Sequence, residues 1–232
     1  MIAQGFDGPF QSCISIVDDS SVDSAASRVW AEAFAAPGAT SVSVDPTLTA
    51  GQLLARVASV SSARLDASAL VIVSGPIVDR VAGRRLECSM LAHPSPTLPD
   101  TILVAISRPD HPSRTLQLAS WLAARIGAKL FGVHCVRDAD EAVVPGAAVA
   151  ANARVAALGA ARTRLEDVSV EISPDTEASI RRVALRIGAQ LVVVGKGSTR
   201  ATIARNLAAH PVHATLAVAR RSGVACRWSL HR

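Results

Sequence analysis

Apolar positions in this chain occur in two patterns, short continuous runs and longer stretches with helical spacing. The runs Ile102 to Ile106 and Leu191 to Val194 are short and entirely apolar, which is typical of strands buried in a parallel sheet. Between them, the stretch 112–126 carries apolar residues three and four positions apart, at Leu116, Leu118, Ala119, Leu122, Ala123 and Ile126. Strands that alternate with helices predict an α/β fold built on a parallel sheet.

The same two patterns predict the other elements. Apolar runs indicate strands at 13–17, 41–44, 69–73, 129–136, 169–172 and 214–219, and helices are expected over 21–36, 50–64 and 176–187. The Pro-rich segment His93 to Asp100 interrupts this succession. Because proline ends helices and cannot donate to a strand ladder, this segment is the expected linker.

The order of motifs before the linker is repeated after it. Ser41 to Pro46 and Ala69 to Gly75 correspond to Ser169 to Pro174 and Gln190 to Gly195. One strand and one helix are missing from the first copy. The sequence therefore predicts two tandem domains, with boundaries at 1–92, 93–100 for the linker, 101–220, and 221–232 for a tail without clear periodicity.

The most informative motif comes directly after the strand Leu191 to Val194. The chain continues Gly195-Lys196-Gly197-Ser198-Thr199 and then enters a helix. Glycines let the backbone approach a ligand, and the start of a helix offers unpaired N–H groups to an anion. Lys196 would add a positive charge, and Ser198 and Thr199 hydroxyl donors. The alternative is an ordinary helix N-cap, in which the hydroxyl satisfies a backbone N–H.

Three segments together resemble the universal stress protein family. They are Thr101-Ile-Leu-Val-Ala-Ile-Ser107, Ala119-Ser-Trp-Leu-Ala-Ala-Arg-Ile-Gly127-Ala-Lys-Leu-Phe-Gly-Val-His134 and Gly188-Ala-Gln-Leu-Val-Val-Val-Gly195. The resemblance spans Thr101 to Arg220 and implies two tandem doubly wound parallel-sheet domains, like those of universal stress proteins and adenine nucleotide alpha hydrolases. It also implies that the Ala-rich stretch 139–164 holds a loop and then a helix from about Ala147.

ATP-binding members of that family carry G-x-x-G, nine further residues and G-[ST] after the fourth strand. Here Gly195 is followed two residues later by Gly197-Ser198, so the intervening loop is absent, and Ser107 stands where the family has an aspartate. If an adenine nucleotide such as ATP binds, the resemblance implies a site formed by Ser107, Val133, Gly195, Gly197, Ser198 and Thr199.

The resemblance implies a regulatory or scaffolding module of the bacterial stress response that binds a partner protein and is not an enzyme. The alternative is a sensor of ATP or another adenine nucleotide. The family also commonly pairs its last strand across a dimer, so Ala214 to Ala219 is expected either to form a homodimer or to cover the first copy. The first copy's counterpart is expected at Ser95 to Pro99, where prolines would prevent a full ladder.

Composition narrows the choices further. The cysteines, Cys13, Cys88, Cys135 and Cys226, have no C-x-x-C spacing, which favours free thiols in a reducing cytoplasm. No long apolar span or signal peptide is evident. Aromatic residues make up 3% and tyrosine is absent, which argues against stacking of single-stranded nucleic acid. No triad, Walker motif or paired carboxylates indicate catalysis.

Charge is divided unequally between the two halves. Residues 1–100 hold six arginines against ten acidic residues, whereas residues 101–232 hold eighteen basic against nine acidic residues. This asymmetry indicates either complementary halves or an anionic partner for the second half. Arg181, Arg182 and Arg186 share one predicted helix; a solvated helix face is the ordinary interpretation, and a DNA-contacting face the alternative.

Two further groups are weaker candidates. Asp18-Asp19-Ser20 and Gly75-Pro76 occupy the corresponding strand ends of the first copy, but Pro76 removes an N–H where a phosphate would need one. His210, His213 and His134-Cys135 lack the spacing of a zinc site, and no metal is expected. For His134, on the second strand of this half, packing or a hydrogen bond to a turn is the expected role.

Overall fold

A computed structural model describes most of the chain. The described residues are 10, 12–17, 21–34, 40–43, 48–49, 51–52, 55–56, 68–73, 77–78, 88–106, 113–139, 147–161, 163–196, 201–209 and 213–219. Ser107, Gly197, Ser198 and Thr199 lie outside them. So do the turn at Asp18, Gly75, Arg200, His210 and the tail after Ala219.

Nine strands of the described part form a single sheet. They are β1 Ser12–Val17, β2 Thr40–Ser43, β3 Ala69–Val73, β4 Ser89–Ala92, β5 Thr101–Ile106, β6 Lys129–Val136, β7 Leu165–Ile172, β8 Leu191–Gly195 and β9 Ala214–Val218. Their order across the sheet is β2-β1-β3-β4-β9-β8-β5-β6-β7. Every pairing is parallel except that of β4 with β9. The α/β class and the doubly wound parallel sheet are confirmed.

Five helices of the described part pack on this sheet. They are α1 Ser21–Ala33, α2 Arg114–Ile126, α3 Ala147–Ala161, α4 Thr176–Ile187 and α5 Ala201–Ala208. The ends of α2 and α4 are explained by local chemistry. Ser113 and Asp175 accept hydrogen bonds from N–H groups of the first turns, and Gly127 and Gly188 end the helices with positive φ, which glycine adopts without strain. Of the predicted helix 50–64, only residues 51–52 and 55–56 are described, and they are helical.

The core differs between the two faces of the sheet. On one face, a continuous cluster runs from Trp30 and Phe34 of α1, across β3, β4, β9 and β8, to α2 and α3. On the other face, the core divides into a cluster around β1, β3 and β4 and a second cluster beneath α4 and α5. The first face therefore joins the N-terminal four strands and the C-terminal five strands into one apolar layer.

The halves meet at the antiparallel pairing of β4 with β9. Met90, Leu91 and Ala92 face Ala217, Leu216 and Thr215. The Ser89 hydroxyl accepts a bond from the Ala219 N–H at 3.1 Å, and the ring Nε2 of His93 lies 2.9 Å from the Ala208 carbonyl. The β4–β9 pairing and these side-chain bonds are called the joint below.

The joint corrects one prediction and bears on another. The last strand of the N-terminal half is Ser89–Ala92, not Ser95 to Pro99, because the prolines leave the later segment short of ladder donors and its residues run irregularly past the sheet. β9 is hydrogen-bonded on both sides, to β8 and β4. β9 therefore pairs with the last strand of the N-terminal half, and a homodimer through β9 stays a prediction, which requires β4 to be displaced.

In the sheet, β2 occupies the position of the strand that the first copy is predicted to lack. By sequence β2 corresponds to β7, but in the sheet it pairs directly with β1, the position that β6 holds beside β5. The strand order places the two halves on either side of the β4–β9 pairing; the tandem copies and the domain boundaries stay predictions. None of the described helices combines the length and the hydropathy that crossing a membrane requires.

Candidate functional site

The site candidate lies at the carboxyl ends of β5 and β8, which are neighbours in the sheet. From β5 the chain continues to β6 and β7 on one side, while β8 and β9 lie on the other. The connections therefore diverge between β5 and β8, and the space outside the carboxyl ends of these two strands is called the crevice below. In open α/β sheets this topological switch point is where ligands bind. In sequence Ser107 follows β5 and the glycine turn begins at the end of β8, so the prediction that they share one site stands without a test.

Gly195 is the described member of the glycine turn. It ends β8, is half-buried and faces α2: a β-carbon at this position would lie 2.9 Å from the Thr115 hydroxyl oxygen. That is closer than real β-carbons approach an oxygen, so the absence of a side chain lets the first turn of α2 close over the strand end. Thr115 is buried. Nothing in its sequence context singled it out, because it is one position of an ordinary helix.

Val133, which the resemblance implies as a site residue, is described, and its role in binding a nucleotide stays a prediction. It lies on β6 opposite Ala105, and its side chain is fully buried in the cluster beneath α4. A ligand could meet its backbone at most. The other predicted site residues, Ser107, Gly197, Ser198 and Thr199, lie outside the described residues, so their contribution to the site stays a prediction.

Lys196 reaches away from the crevice, toward the other half. Its backbone N–H donates to the Val218 carbonyl at 2.7 Å, and its ammonium donates to the Cys88 carbonyl at 2.9 Å. Burial lowers the pKa of Lys196, and the nearby Cys88 thiol acts weakly in the opposite direction. The ammonium of Lys196, which the sequence analysis expected at a phosphate, thus bonds to Cys88, 108 positions away in sequence and directly before β4.

A second cation secures the same corner of the sheet. Arg114, in the first turn of α2, donates from Nη1 to the Ala219 carbonyl at 2.9 Å. Two further hydrogen bonds act at the same place: the Lys196 N–H donates to the Val218 carbonyl, and the Ala219 N–H donates to the Ser89 hydroxyl. The three bonds together fix the carboxyl end of β9. Three different segments therefore converge on two consecutive residues, directly beside the end of β8.

The carboxyl end of β5 is fixed from the other side. The Nδ1 of His134 lies 2.9 Å from the Ile106 carbonyl, and His134 is buried. With a carbonyl as partner, Nδ1 is the donor in the neutral ring, so Nε2 carries the lone pair. His134 is therefore a packed, hydrogen-bonded histidine, as expected for this strand. Gly132 makes room for Ile106, whose Cδ1 would lie 2.7 Å from an added β-carbon.

The arginines of α4 form ion pairs rather than an open cationic face. Arg182 and Arg186 both contact the Glu171 carboxylate of β7, at 3.5 and 3.0 Å, and Arg181 pairs with Glu177 one turn away. Exposed pairs of this kind contribute about 0–1 kcal/mol each. They also neutralise the face that a nucleic acid would contact.

His213 precedes β9 and is buried. Desolvation lowers its pKa, and the positive charge of Arg181 lowers it further. Cys13 is buried in β1, and burial raises its pKa to about 12, so it behaves as a neutral apolar group at physiological pH. Within the described ranges, no cluster of three or more His, Cys, Asp or Glu side chains is placed to hold a metal.

Comparison with known proteins supports the arrangement of strands. No protein-family model matches the chain, and no curated protein matches it. Among solved structures, a universal stress protein from Archaeoglobus fulgidus DSM 4304 superposes with a TM-score of 0.54 over 91% of this chain and 87% of its own, at 14% identity. The chain has the universal stress protein fold. The resemblance drawn from the three sequence segments is thus confirmed at the level of the fold.

Two shorter structures align with about half of this chain. One is a universal stress protein in complex with cAMP, at 20% identity and a TM-score of 0.43 over 53% of this chain and 98% of its own. The other is the universal stress protein from Archaeoglobus fulgidus in complex with dAMP, at 18% identity and 0.43 over 51% and 96%.

Proposed function

We propose that this chain is a regulatory module of the universal stress protein type that acts by binding and not by catalysis, and that its ligand is an adenine nucleotide held at the carboxyl ends of β5 and β8. The observation that carries the proposal is the position of Gly195, which ends β8 at the switch point of the sheet. Open α/β sheets place their ligands there.

Three features support an anionic ligand. The glycine turn leads from β8 into α5, and helix starts favour anions. The half that carries the crevice has twice as many basic as acidic residues, which raises the local concentration of anions. A further cation, Arg114, lies in the first turn of α2 and donates to the Ala219 carbonyl just after β9. The choice of adenine rests on the likeness of the strand and its glycine turn to ATP-binding universal stress proteins.

The absence of catalysis is part of the proposal. Among the described acidic side chains around α4, Glu171 and Glu177 are bound to arginines, and Asp175 caps the helix. His134 is held by a backbone carbonyl. Neither arrangement supplies a general base with access to the crevice. A nucleotide would then shift the conformation or the partner affinity of the module.

The test is thermal unfolding of the purified chain with ATP, ADP, AMP, cAMP and dAMP, each at millimolar concentration with magnesium. A ligand at 100 times its dissociation constant adds about 2.7 kcal/mol, which is a shift of roughly 5–10 °C for a chain of this size. Substituting Gly197→Ala together with Ser198→Ala, or Gly195→Val, should abolish the shift. Gly195→Val introduces a side chain against Thr115 and fills the crevice from the strand.

Gly51→Ala is the matched control. An added β-carbon at Gly51 meets nothing within 4 Å, so this substitution should leave both the melting temperature and the nucleotide shift unchanged. If no nucleotide shifts the wild-type melting temperature, the nucleotide site is wrong, and the remaining hypothesis is a nucleotide-free module that binds a partner protein through its surface.

A further inference from the structure

The last turn of α5 is held by side chains from three other parts of the fold. A helix leaves its final carbonyls without partners inside the helix. Here three consecutive carbonyls accept hydrogen bonds from different elements: Asn206 from Arg181 of α4 at 3.1 Å, Leu207 from Thr215 of β9 at 3.4 Å, and Ala208 from the ring of His93 at 2.9 Å. These three hydrogen bonds are called the clasp below. The clasp connects α4, β9 and the N-terminal half to one helix end.

His213 lies buried beside the clasp. The ladder of the joint ends where Ala92 faces Thr215. His213, two positions before Thr215, and His93, directly after Ala92, therefore lie at the same end of the joint. The side chain of His213 is 8% exposed, and none of the described residues forms a hydrogen bond with its ring. His213 is thus a buried titratable group that no hydrogen bond from the described part of the chain holds in place.

The charges around His213 oppose its protonation. The charged and titratable groups on the surrounding elements are Arg181 and Glu177 of α4, the exposed Arg205 of α5, His93 after β4, and the exposed Asp100 before β5. Burial lowers the pKa of His213, and the positive charge of Arg181 lowers it further. Both oxygens of the Glu177 carboxylate already accept, one from Arg181 and one from the Asn206 amide at 2.8 Å. Within the described ranges, no carboxylate offsets the effect of Arg181 on His213.

We propose that His213 is an acid-sensitive switch of the joint: when His213 is protonated, the clasp opens and the pairing of β4 with β9 loosens at this end. A buried imidazolium beside a guanidinium is costly, and it reaches water by moving away from α4 and α5. This movement disturbs two of the three clasp donors, because Arg181 repels the new charge and Thr215 is two positions away in the chain. Protonation of histidines changes interfaces in pH sensors by the same physics. The switch needs no ligand, so it is independent of the proposed nucleotide site.

Hydrogen exchange at pH 7.5 and pH 5.5 tests the switch. The Ala209 amide closes the last turn of α5, and the Ala214 amide donates to the Gln190 carbonyl at the start of β9. The protection factors of both amides, which correct for the pH dependence of intrinsic exchange, should fall several-fold at the lower pH. An ordinary histidine pKa of 6.5 limits this fall to about ten-fold. The Ala128 amide, which closes the last turn of α2 on the other face of the sheet, is the internal reference and should keep its protection.

Two variants identify the histidine that is responsible. His213→Gln has no group to protonate, so the fall in protection at Ala209 and Ala214 should disappear. His93→Asn is the matched control: it removes the other histidine at this helix end, and asparagine tolerates the left-handed backbone of His93, whose φ is 52°. This control should lower protection at both pH values but keep the fall between them. A fall in His213→Gln equal to that of the wild type, or the loss of the fall in His93→Asn, overturns the switch.

A second measurement covers the case in which His213→Gln does not fold. The ring resonances of His213 in the wild-type chain, followed by NMR from pH 8 to pH 5, should titrate below 6.5. Arg181→Gln removes the neighbouring positive charge and should move this titration to higher pH. A ring that titrates at 6.5 or above in the wild type, or at the same pH in Arg181→Gln, overturns the switch.

Discussion

The N-terminal and C-terminal halves place their strands in the same relative order, but they differ in how each half ends. The C-terminal half continues outward through β6 and β7, each eight residues long, whereas the N-terminal half stops at β2, which has four. A half with a short outer edge buries less apolar surface of its own. The comparison indicates that the N-terminal half depends on the joint and on the shared core for its stability.

The two halves also differ in the residues that come directly after their central strands. After β8 the chain has Lys196, a glycine, a serine and a threonine, whereas after β3 it has a serine, Gly75 and then Pro76, and the net charges of the halves are opposite. The C-terminal half therefore has the better chemistry for an anion, and the N-terminal half provides the carbonyl that holds Lys196. The C-terminal half, which is proposed to bind the ligand, is called the ligand-binding half below, and the N-terminal half is called the supporting half.

The largest expected effect comes from removing the aromatic anchor of the supporting half. Trp30 is 1% exposed, stacks on Phe34 and donates from its indole nitrogen to the Ser95 carbonyl at 2.8 Å. Trp30→Ala should lower the free energy of unfolding by about 3–5 kcal/mol, measured by urea denaturation followed by circular dichroism. Phe34 in turn stacks on Trp121 of the other half, with ring centroids 6.4 Å apart. The substitution should therefore destabilise both halves, and both should unfold in a single transition.

Trp30→Phe separates packing from the hydrogen bond. It keeps an aromatic ring but leaves the Ser95 carbonyl without the indole donor, and should cost about 1–3 kcal/mol. A loss below about 1 kcal/mol for Trp30→Ala would show that the supporting half does not rely on this anchor.

A smaller effect is expected from overpacking the ligand-binding half. A β-carbon at Gly132 would lie 2.7 Å from Ile106 Cδ1 and 3.1 Å from Val168 Cγ2, so Gly132→Ala should destabilise by about 1–3 kcal/mol. Gly51→Ala, in open space in the other half, serves as the control in the same denaturation experiment. Equal stability of the two variants would contradict the tight packing around the end of β5.

The cap of α4 gives a third test within the ligand-binding half. Asp175 accepts from the Ala178 N–H at 3.0 Å, so Asp175→Ala should cost about 1 kcal/mol of unfolding free energy. Asp175→Ser keeps an acceptor and should recover most of this loss. If the alanine variant is as stable as the wild type, water satisfies the first turn of α4 as well as the carboxylate does.

Local patterns were enough to predict most of the C-terminal half. The apolar runs of β5 and β8 are continuous, β6 is apolar at most of its positions, and α2 and α4 have helical spacing between a capping residue and a terminal glycine. These signals are local, so the sequence contains them directly. The strand Leu165–Ile172 begins four residues before the predicted start, because its first half, Leu-Glu-Asp-Val, has two adjacent charged residues and therefore no continuous apolar run.

The joint could not be predicted in the same way. β4 has four residues, Ser-Met-Leu-Ala, which carry no periodic signal, and the counterpart of the last strand was expected in the proline segment Ser95 to Pro99 instead. The bond from Lys196 to Cys88 joins residues 108 positions apart, and nothing in either local sequence specifies it. The positive charge of a lysine in a glycine turn predicts a phosphate as its partner. Only the order of the strands in the sheet shows that the Cys88 carbonyl lies within hydrogen-bond distance of the Lys196 ammonium.

The smallest expected effect is a pH dependence that originates at the start of β9. Burial and the positive charge of Arg181 lower the pKa of His213 from its ordinary value of 6.5. Above pH 6.5 the imidazole is neutral in both the folded and the unfolded chain and has no effect on stability. As the pH falls below 6.5, the unfolded chain binds the proton first, so the free energy of unfolding decreases until the folded-state pKa is reached.

His213→Gln should remove this contribution of His213 to the pH dependence. Urea denaturation of both chains from pH 5 to 8.5 should therefore show a constant difference on the alkaline side and a variant that loses less stability on the acid side. Parallel curves over the whole range would mean that protonated His213 is tolerated at the joint, and that the start of β9 is more open to water than its burial indicates.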